Sequence, residues 1–438
     1  MLPIAGCTAK HSFFYQTDPD VQQLVDQHFK FPDTTFFVLS DPHIYDTSLG
    51  TEGAAFKDYL SKDRKLLVLS DEIIGAATNL VAGQNSDFVL VCGDLTKDGE
   101  IVCHKKMVKH LKTLKNSGKK IFIIPGNHDL DNANSVKFQG STTTPVPGAG
   151  PEEFKTLYHD FGFKDAIVQD DDSLSYIAEP VKGLRLFALD SCRWKENRPD
   201  HQPVTGGAFS QKTLQWIEKQ LIAAKQDGKA VLVFMHHGIM EHYSANEKFY
   251  ENYIVKDHKI VSSLFASYGV PLVFTGHFHA QDITKRSLKD TGRFVFDVET
   301  GSLATAPCPF RRVQISKGRK ALINSSFIKS IPSLGDDFEE YAKQYVFDGT
   351  KVLVNTKLDK YMVSKDQQEL INHQVSSAYT AHLRGDELKP STIIDSKGFG
   401  LWLKFVAWMQ EDLIDGWWTD LAPKDNNITI DLETGSVT

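Results

Sequence analysis

Between Thr35 and about Phe327 the chain alternates short apolar runs with longer stretches whose apolar residues recur every three or four positions. The short runs are Phe36 to Leu39, Phe88 to Val91, Ile121 to Ile124, Leu184 to Leu189, Val231 to Met235 and Leu272 to Phe274. They have strand length, and each stops abruptly at polar residues. The longer stretches, Lys65 to Leu80, Val102 to Lys115, Gln211 to Lys225 and Lys259 to Ser267, read as amphipathic helices between them. Such alternation predicts α/β layers with helices flanking sheets. Further strands at Gly292 to Val298 and Ala321 to Phe327 fit mixed sheets better than a purely parallel one.

Three polar segments with Gly or Pro, 131–150, 191–209 and 238–253, exceed ordinary connections, and each follows a strand end. Loops of that kind are where a site would be built. The turn-rich stretch Ile331 to Asp337 marks a boundary, predicting an N-terminal segment 1–34, a main domain 35–335 and a C-terminal helical domain 336–438. Helical patterns follow at Phe338 to Gln344, Lys365 to His382 and Gly400 to Asp415. Trp402, Trp408, Trp417 and Trp418, four of the six tryptophans, fall in this tail, and their mostly helical spacing predicts packing against the main domain.

Composition narrows the classes. The chain has 438 residues, 41% hydrophobic and 24% charged, with 49 Lys and Arg against 56 Asp and Glu, a net charge of -7. Collagen-like, disordered and disulfide-scaffold classes are excluded. Without a long basic run, duplex nucleic acid is not an expected partner. No stretch reaches the ~18 uncharged apolar residues of a membrane span. The five cysteines contain no C-x-x-C pair and suggest no zinc knuckle. Ile4-Ala5-Gly6-Cys7 resembles the cleavage box of bacterial lipoproteins, although the upstream regions of a signal peptide are missing. It predicts lipid attachment at Cys7, a membrane-surface anchor and an extracytoplasmic location, with cytoplasmic the alternative. The oligomeric state leaves no trace in the sequence.

The chemistry sits where the predicted strands end. The first delivers Asp41-Pro-His43, the second Gly93-Asp94, and the third Gly126-Asn127-His128-Asp129; two later ones end in His236-His237 and Gly276-His277-Phe-His279. In Asp41-x-His43 and His277-x-His279 the ligands are two apart, so in extended chain they point to one side and can chelate one centre. Asp, His and an Asn oxygen without cysteine form a mixed N/O set that suits Mn or Fe, with Zn also compatible, better than Ca or Mg. Each piece alone is commonplace. Their joint occurrence in order, each after an apolar strand, predicts a metal site.

Together these motifs resemble the signature of the calcineurin-like metallophosphoesterases over about Thr35 to Phe327. The resemblance implies a four-layer α/β/β/α sandwich with two divalent or trivalent metal ions at one sheet edge. Asp41, His43 and His279 would hold the first ion, Asn127, His236 and His277 the second, and Asp94 would bridge. His236 is preferred to His237, which would then stand behind the ligands or face substrate. It further implies hydrolysis by in-line attack of a metal-bridging hydroxide. His128 would be the general acid, its imidazole held by Asp98 or Asp129.

Gly93-Asp94-Leu-Thr-Lys-Asp-Gly99 lacks the Asp-Arg pair of the protein serine/threonine phosphatases. The pattern is more similar to the branch that holds class III cyclic-nucleotide phosphodiesterases and glycerophosphodiesterases. No arginine cluster adjoins the motifs, Arg193, Arg198, Arg311 and Arg312 being the possible exceptions. The expected substrate is therefore a phosphodiester, a cyclic nucleotide being the favoured class. A broad phosphomonoesterase is the alternative, and a lipid-anchored binding protein with a vestigial metal site is another.

Overall fold

The computed structural model describes residues 12–438. Cys7 and the quartet it ends lie outside the described residues. Two mixed sheets pack face to face. In the first, the order is Asn427–Asp431, Lys320–Phe327, Pro309–Ser316, Thr34–Leu39, Phe88–Val91, Lys120–Ile123. Its last three strands run parallel, with Phe36 beside Phe88 and Phe88 beside Lys120. The second sheet has seven strands, among them Leu184–Leu189, Ala230–Met235, Leu272–Thr275 and Phe294–Glu299, which are mutually parallel.

Rings close the space between the sheets: Phe36 stacks on Phe88 at 4.6 Å and meets Phe274 of the opposite sheet edge-on at 5.4 Å. Helices Ser70–Ala82 and Ile101–Asn116 cover one outer face, Gln211–Gln226 and His258–Ser267 the other. The fold is thus the expected helix/sheet/sheet/helix sandwich. Because Ala230–Met235 is buried at every position, its side chains show no alternation, which is what its unbroken apolar run requires.

Local reading misses elements whose signal is weak. Strands Ala166–Gln169, Tyr176–Ala178, Asp282–Ser287 and Pro309–Ser316 carry polar or short patterns and owe their state to pairing. The segment 131–150 contains a hairpin, Val136–Gln139 with Thr142–Pro145. Helix Phe338–Lys360 runs far past the expected Gln344, through Gly349 and several β-branched residues of low helix propensity. Packing on the next helix, Lys365–Arg384, overrides that preference. The pattern Gly400 to Asp415 breaks at Gln410 into Leu401–Met409 and Glu411–Trp417.

The tail 336–438 is helical only as far as Trp417. Beyond it the chain returns, and Asn427–Asp431 adds antiparallel to Lys320–Phe327 of the first sheet. The helices are therefore tied to the body at both ends. They lie over the strand edge that carries the motifs: His382 meets the rings of Tyr243 and Phe278 at 4.9 and 5.2 Å, and Lys248 pairs with Asp412 at 2.6 Å. Trp417 is buried in that contact as the spacing predicts, whereas Trp402 and Trp408 are 49% and 67% exposed. On the same helix Leu403, Val406 and Ala407 are buried. No helix among the described residues is long and apolar enough to cross a membrane.

Candidate metal centre

The parallel strands of both sheets end at one edge, so side chains distant in sequence converge there. Asp41 and His43 follow Thr34–Leu39, Asp94 follows Phe88–Val91, and Asn127 and His128 follow Lys120–Ile123. From the facing sheet, His236 follows Ala230–Met235, and His277 and His279 follow Leu272–Thr275. Turning away within two residues demands unusual backbone: Asp41, His43, Asp94, His277 and His279 all have positive φ, from 41° to 77°. Each such residue costs about 1–3 kcal/mol, and strain held by surrounding structure concentrates at functional sites. Gly126 and Gly276 let the turns close. A Cβ on the first would overlap the Asp94 carboxylate, and one on the second would overlap Ser40 Oγ and Asp41 Oδ2.

Two groups of ligand atoms face each other across Asp94. In one, His43 Nε2 lies 3.0 Å from His279 Nε2, and Asp41 Oδ1 lies 3.4 Å from His279 Nε2. In the other, His236 Nε2 lies 3.0 Å from Asn127 Oδ1 and 3.1 Å from His277 Nδ1. Asp94 Oδ2 stands 3.5 Å from His43 Nε2 and 3.3 Å from His236 Nε2, between the groups. Its other oxygen accepts the backbone N–H of His128 at 2.9 Å.

These residues fit cations. Asp41 Oδ1 is buried without a hydrogen-bond partner, which is costly unless something binds it. Metal ligands at ~2.0–2.1 Å from one ion sit about 3 Å apart, the spacing seen here. His236 Nδ1 donates to Cys92 O at 2.8 Å, which leaves its Nε2 lone pair for the cluster. His237 is spent differently: Nδ1 contacts Ser191 Oγ at 2.8 Å and Nε2 contacts Thr205 O at 2.9 Å. Burial and neighbouring His236 push its pKa down to about 3. His237 thus lies beside His236 and His277 with both nitrogens engaged by protein.

His128 is half-buried, 27% exposed at the side chain, with Nε2 4.0 Å from Asp94 Oδ2. Its Nδ1 lies 2.7 Å from Asp98 Oδ1. Burial and Lys65 pull its pKa down, but Asp94 and Asp98 outweigh them and raise it. Asp98 is in turn held by Lys97 and by Tyr59 Oη at 3.1 Å, and despite burial its pKa falls to about 2. Asp129 does not reach the imidazole. It accepts from the backbone N–H groups of Gly126, Leu95 and Thr96 and from Thr96 Oγ1, at 2.8–3.0 Å, and so staples the Asp94 and Asn127 turns together.

A cavity of about 380 Å³ opens from this centre. Asp94, Asn127, His128, His277 and His279 line one end. None of Arg193, Arg198, Arg311 or Arg312 is among its walls. Arg193 pairs with Glu196 and Arg311 is fully buried against backbone carbonyls. The cations lining the cavity are instead Lys62, Arg64, Lys65 and Lys357. Lys65 pairs with Asp63 at 3.1 Å; Arg64 lies over the Tyr379 ring at 5.3 Å and donates no side-chain hydrogen bond among the described residues. Sequence reasoning passed over them because Lys65 opens a helical pattern. The run Lys62-Asp-Arg-Lys65 just before it was the available signal.

The sequence pattern of the calcineurin-like phosphoesterases matches residues 34–281, a span that holds every motif position from Asp41 to His279. No curated protein matches the chain. Among solved structures, a dimetal phosphatase from Danio rerio is 16% identical with a TM-score of 0.49, over 68% of this chain and 97% of that one. A purple acid phosphatase from Lupinus luteus seeds is 11% identical with a TM-score of 0.39, over 68% of this chain and 52% of the other. A 5'-nucleotidase precursor from Thermus thermophilus is 10% identical with a TM-score of 0.36, over 74% and 59% respectively. The chain thus spans little more than half the length of the last two.

Proposed function

The chain belongs to the calcineurin-like phosphoesterase family, and from that premise we propose that it hydrolyses phosphodiesters at a centre of two metal ions. Asp41, His43 and His279 would hold one ion, Asn127, His236 and His277 the other, with Asp94 shared. The mixed N/O set suits Mn or Fe, with Zn compatible. When bound, two such ions supply a water of lowered pKa as nucleophile and neutralise phosphoryl charge.

The chain's own groups do the rest. Water adds to phosphorus, the P–O bond to one alcohol breaks, and that alcohol leaves with a proton. His128 is the donor: Asp98 orients the ring by accepting from Nδ1, so that Nε2 faces the cavity. The observation that carries the diester is the charge at the cavity neck. Lys62 and Lys65 pair with Asp58 and Asp63 and Lys357 is held by Gln410, so among the described residues Arg64 is the one guanidinium on the wall and no cluster of arginines stands ready to clamp a dianionic monoester.

The second reading, a monoesterase, is favoured by the four basic side chains that line the cavity. Metal-stripped protein reloaded with Mn, Fe or Zn and offered bis(p-nitrophenyl) phosphate and p-nitrophenyl phosphate separates them. The diester is expected to have the higher kcat/KM; the reverse order assigns a monoesterase, and turnover without metal removes the centre from the argument. A cyclic nucleotide, the finer expectation, needs polar groups to read its base, and beyond the tyrosines the cavity wall is mainly apolar, with Thr350, Lys357 and Gln410 its polar members.

A further inference from the structure

The cavity does not end at the phosphate site. Past Tyr250, Tyr253 and Tyr379 it runs beneath the C-terminal helices, between Leu353, Leu358, Ile371, Val375, Val406 and Ile414. A mainly apolar chamber joined to a charged centre gives a wholly polar substrate little to bind, because polar groups that enter it lose hydrogen bonds to water. Resting on the phosphoesterase reading, we propose that the substrate is amphiphilic: its phosphate lies at the strand edge and an apolar chain lies in the chamber under the helical tail.

Three independent features agree. Arg64 sits where chamber meets centre, stacked on Tyr379 and free of any ion pair among the described residues, so its guanidinium can take a phosphoryl oxygen while the ring behind it belongs to the apolar wall. The walls come from four separate tail helices, which explains why a phosphoesterase body carries them over its own active edge. Finally, helix Leu401–Met409 is apolar on both sides. Val406 and Ala407 line the chamber, while Trp402, Phe405 and Trp408 stack outward at 5.5 and 5.9 Å, and Phe405 is 45% exposed. A two-sided apolar helix between a chamber and solvent is what handling of a poorly soluble chain requires.

Hydrolysis of ethyl, butyl, octyl and dodecyl p-nitrophenyl phosphates below their aggregation limits tests this on the whole metal-loaded protein. Each added methylene that enters the chamber is expected to raise kcat/KM about twofold to fourfold, equivalent to up to ~0.8 kcal/mol per buried CH₂, until the chamber is full. Turnover that is independent of chain length overturns the proposal and leaves the phosphoesterase reading standing. Hydrolysis of none of the four removes that reading and the proposal with it.

Calorimetric binding of dodecyl phosphate against ethyl phosphate to metal-free protein gives a readout apart from activity. Equal affinities count against the chamber. Val375→Trp fills it and is expected to cut dodecyl kcat/KM at least tenfold toward the ethyl value; Leu353→Phe serves if that variant fails to fold. Substrate carried in phosphatidylcholine vesicles then distinguishes the source of the chain. Loss of vesicle turnover alone in Trp402→Ala/Trp408→Ala means that the chain is drawn from a lipid surface, and equal behaviour on both forms means that dispersed amphiphile suffices; either result upholds the chamber.

Discussion

The body and the tail bury opposite things. At the strand edge of the body, Asp41, His43, Asp94, His236 and His277 are buried, and polar atoms such as Asp41 Oδ1 and His277 Nε2 have no hydrogen-bond partner there. In the tail the burden is reversed: apolar side chains line a cavity, and Trp402 and Trp408 are exposed. Both arrangements forgo stability that a filled, satisfied core would have. The body does so where charge must be handled and the tail where apolar surface must be, so chemistry and recognition are assigned to different regions that meet at Arg64 and the tyrosines.

The sharpest way to break that division is at its polar extreme. Asp94→Asn weakens the anion shared by both ligand groups, and turnover and metal content are expected to fall further than the ~10–100-fold that loss of an outer partner costs, with the fold retained. Normal metal content by elemental analysis would overturn the shared role. His128→Ala acts next in size. It is expected to lower turnover of alkyl diesters that expel an alkoxide by about 10²–10⁴-fold, and that of nitrophenyl diesters much less, since nitrophenolate leaves without a proton. Equal losses on both would assign His128 to charge stabilisation instead.

The apolar extreme is tested by ending the chain at Gly335. This removes the four helices and also the strand Asn427–Asp431, baring the edge of Lys320–Phe327. Aggregation by light scattering is the expected result; a monodisperse, fully active product would show that the tail is dispensable to the body. The smallest effect lies at the seam between the regions. There Glu387, 2.9 Å from His382 Nδ1, has its pKa raised by burial and by Asp282 from 4.5 to about 9, and Asp420 is raised likewise to about 7.

Groups with raised folded pKa bind more protons folded than unfolded, so their stabilisation is full below about pH 4 and is lost as pH rises through 7 to 9. His382, lowered to about 4 by burial, opposes this only below pH 6.5. Tm is therefore expected to be a few degrees lower at pH 9 than at pH 6.5, and Glu387→Gln should flatten the slope in scanning calorimetry. An unchanged slope would place the titration elsewhere.

What the sequence determined by itself is the body. Its strands are continuous apolar runs because they are covered on both faces, and the ligand motifs follow them directly, so a local pattern reports both the strand and the residue at its end. Asp41-x-His43, Gly93-Asp94, Gly126-Asn127-His128, His236-His237 and Gly276-His277-x-His279 are legible as strand-end motifs for that reason. Tertiary structure alone decided what depends on convergence. Asp98 rather than Asp129 reaches His128 because Asp129 is consumed by backbone donors from two other turns.

Arg64 faces the centre because helix Lys365–Arg384 lays Tyr379 against it, some three hundred residues away in the chain. The outward Trp402 and Trp408 carry the same helical spacing as buried Trp417, since a periodicity states which residues share a face and not what that face meets. The chamber is a space left between residues from widely separated segments, and no single stretch of sequence encodes it.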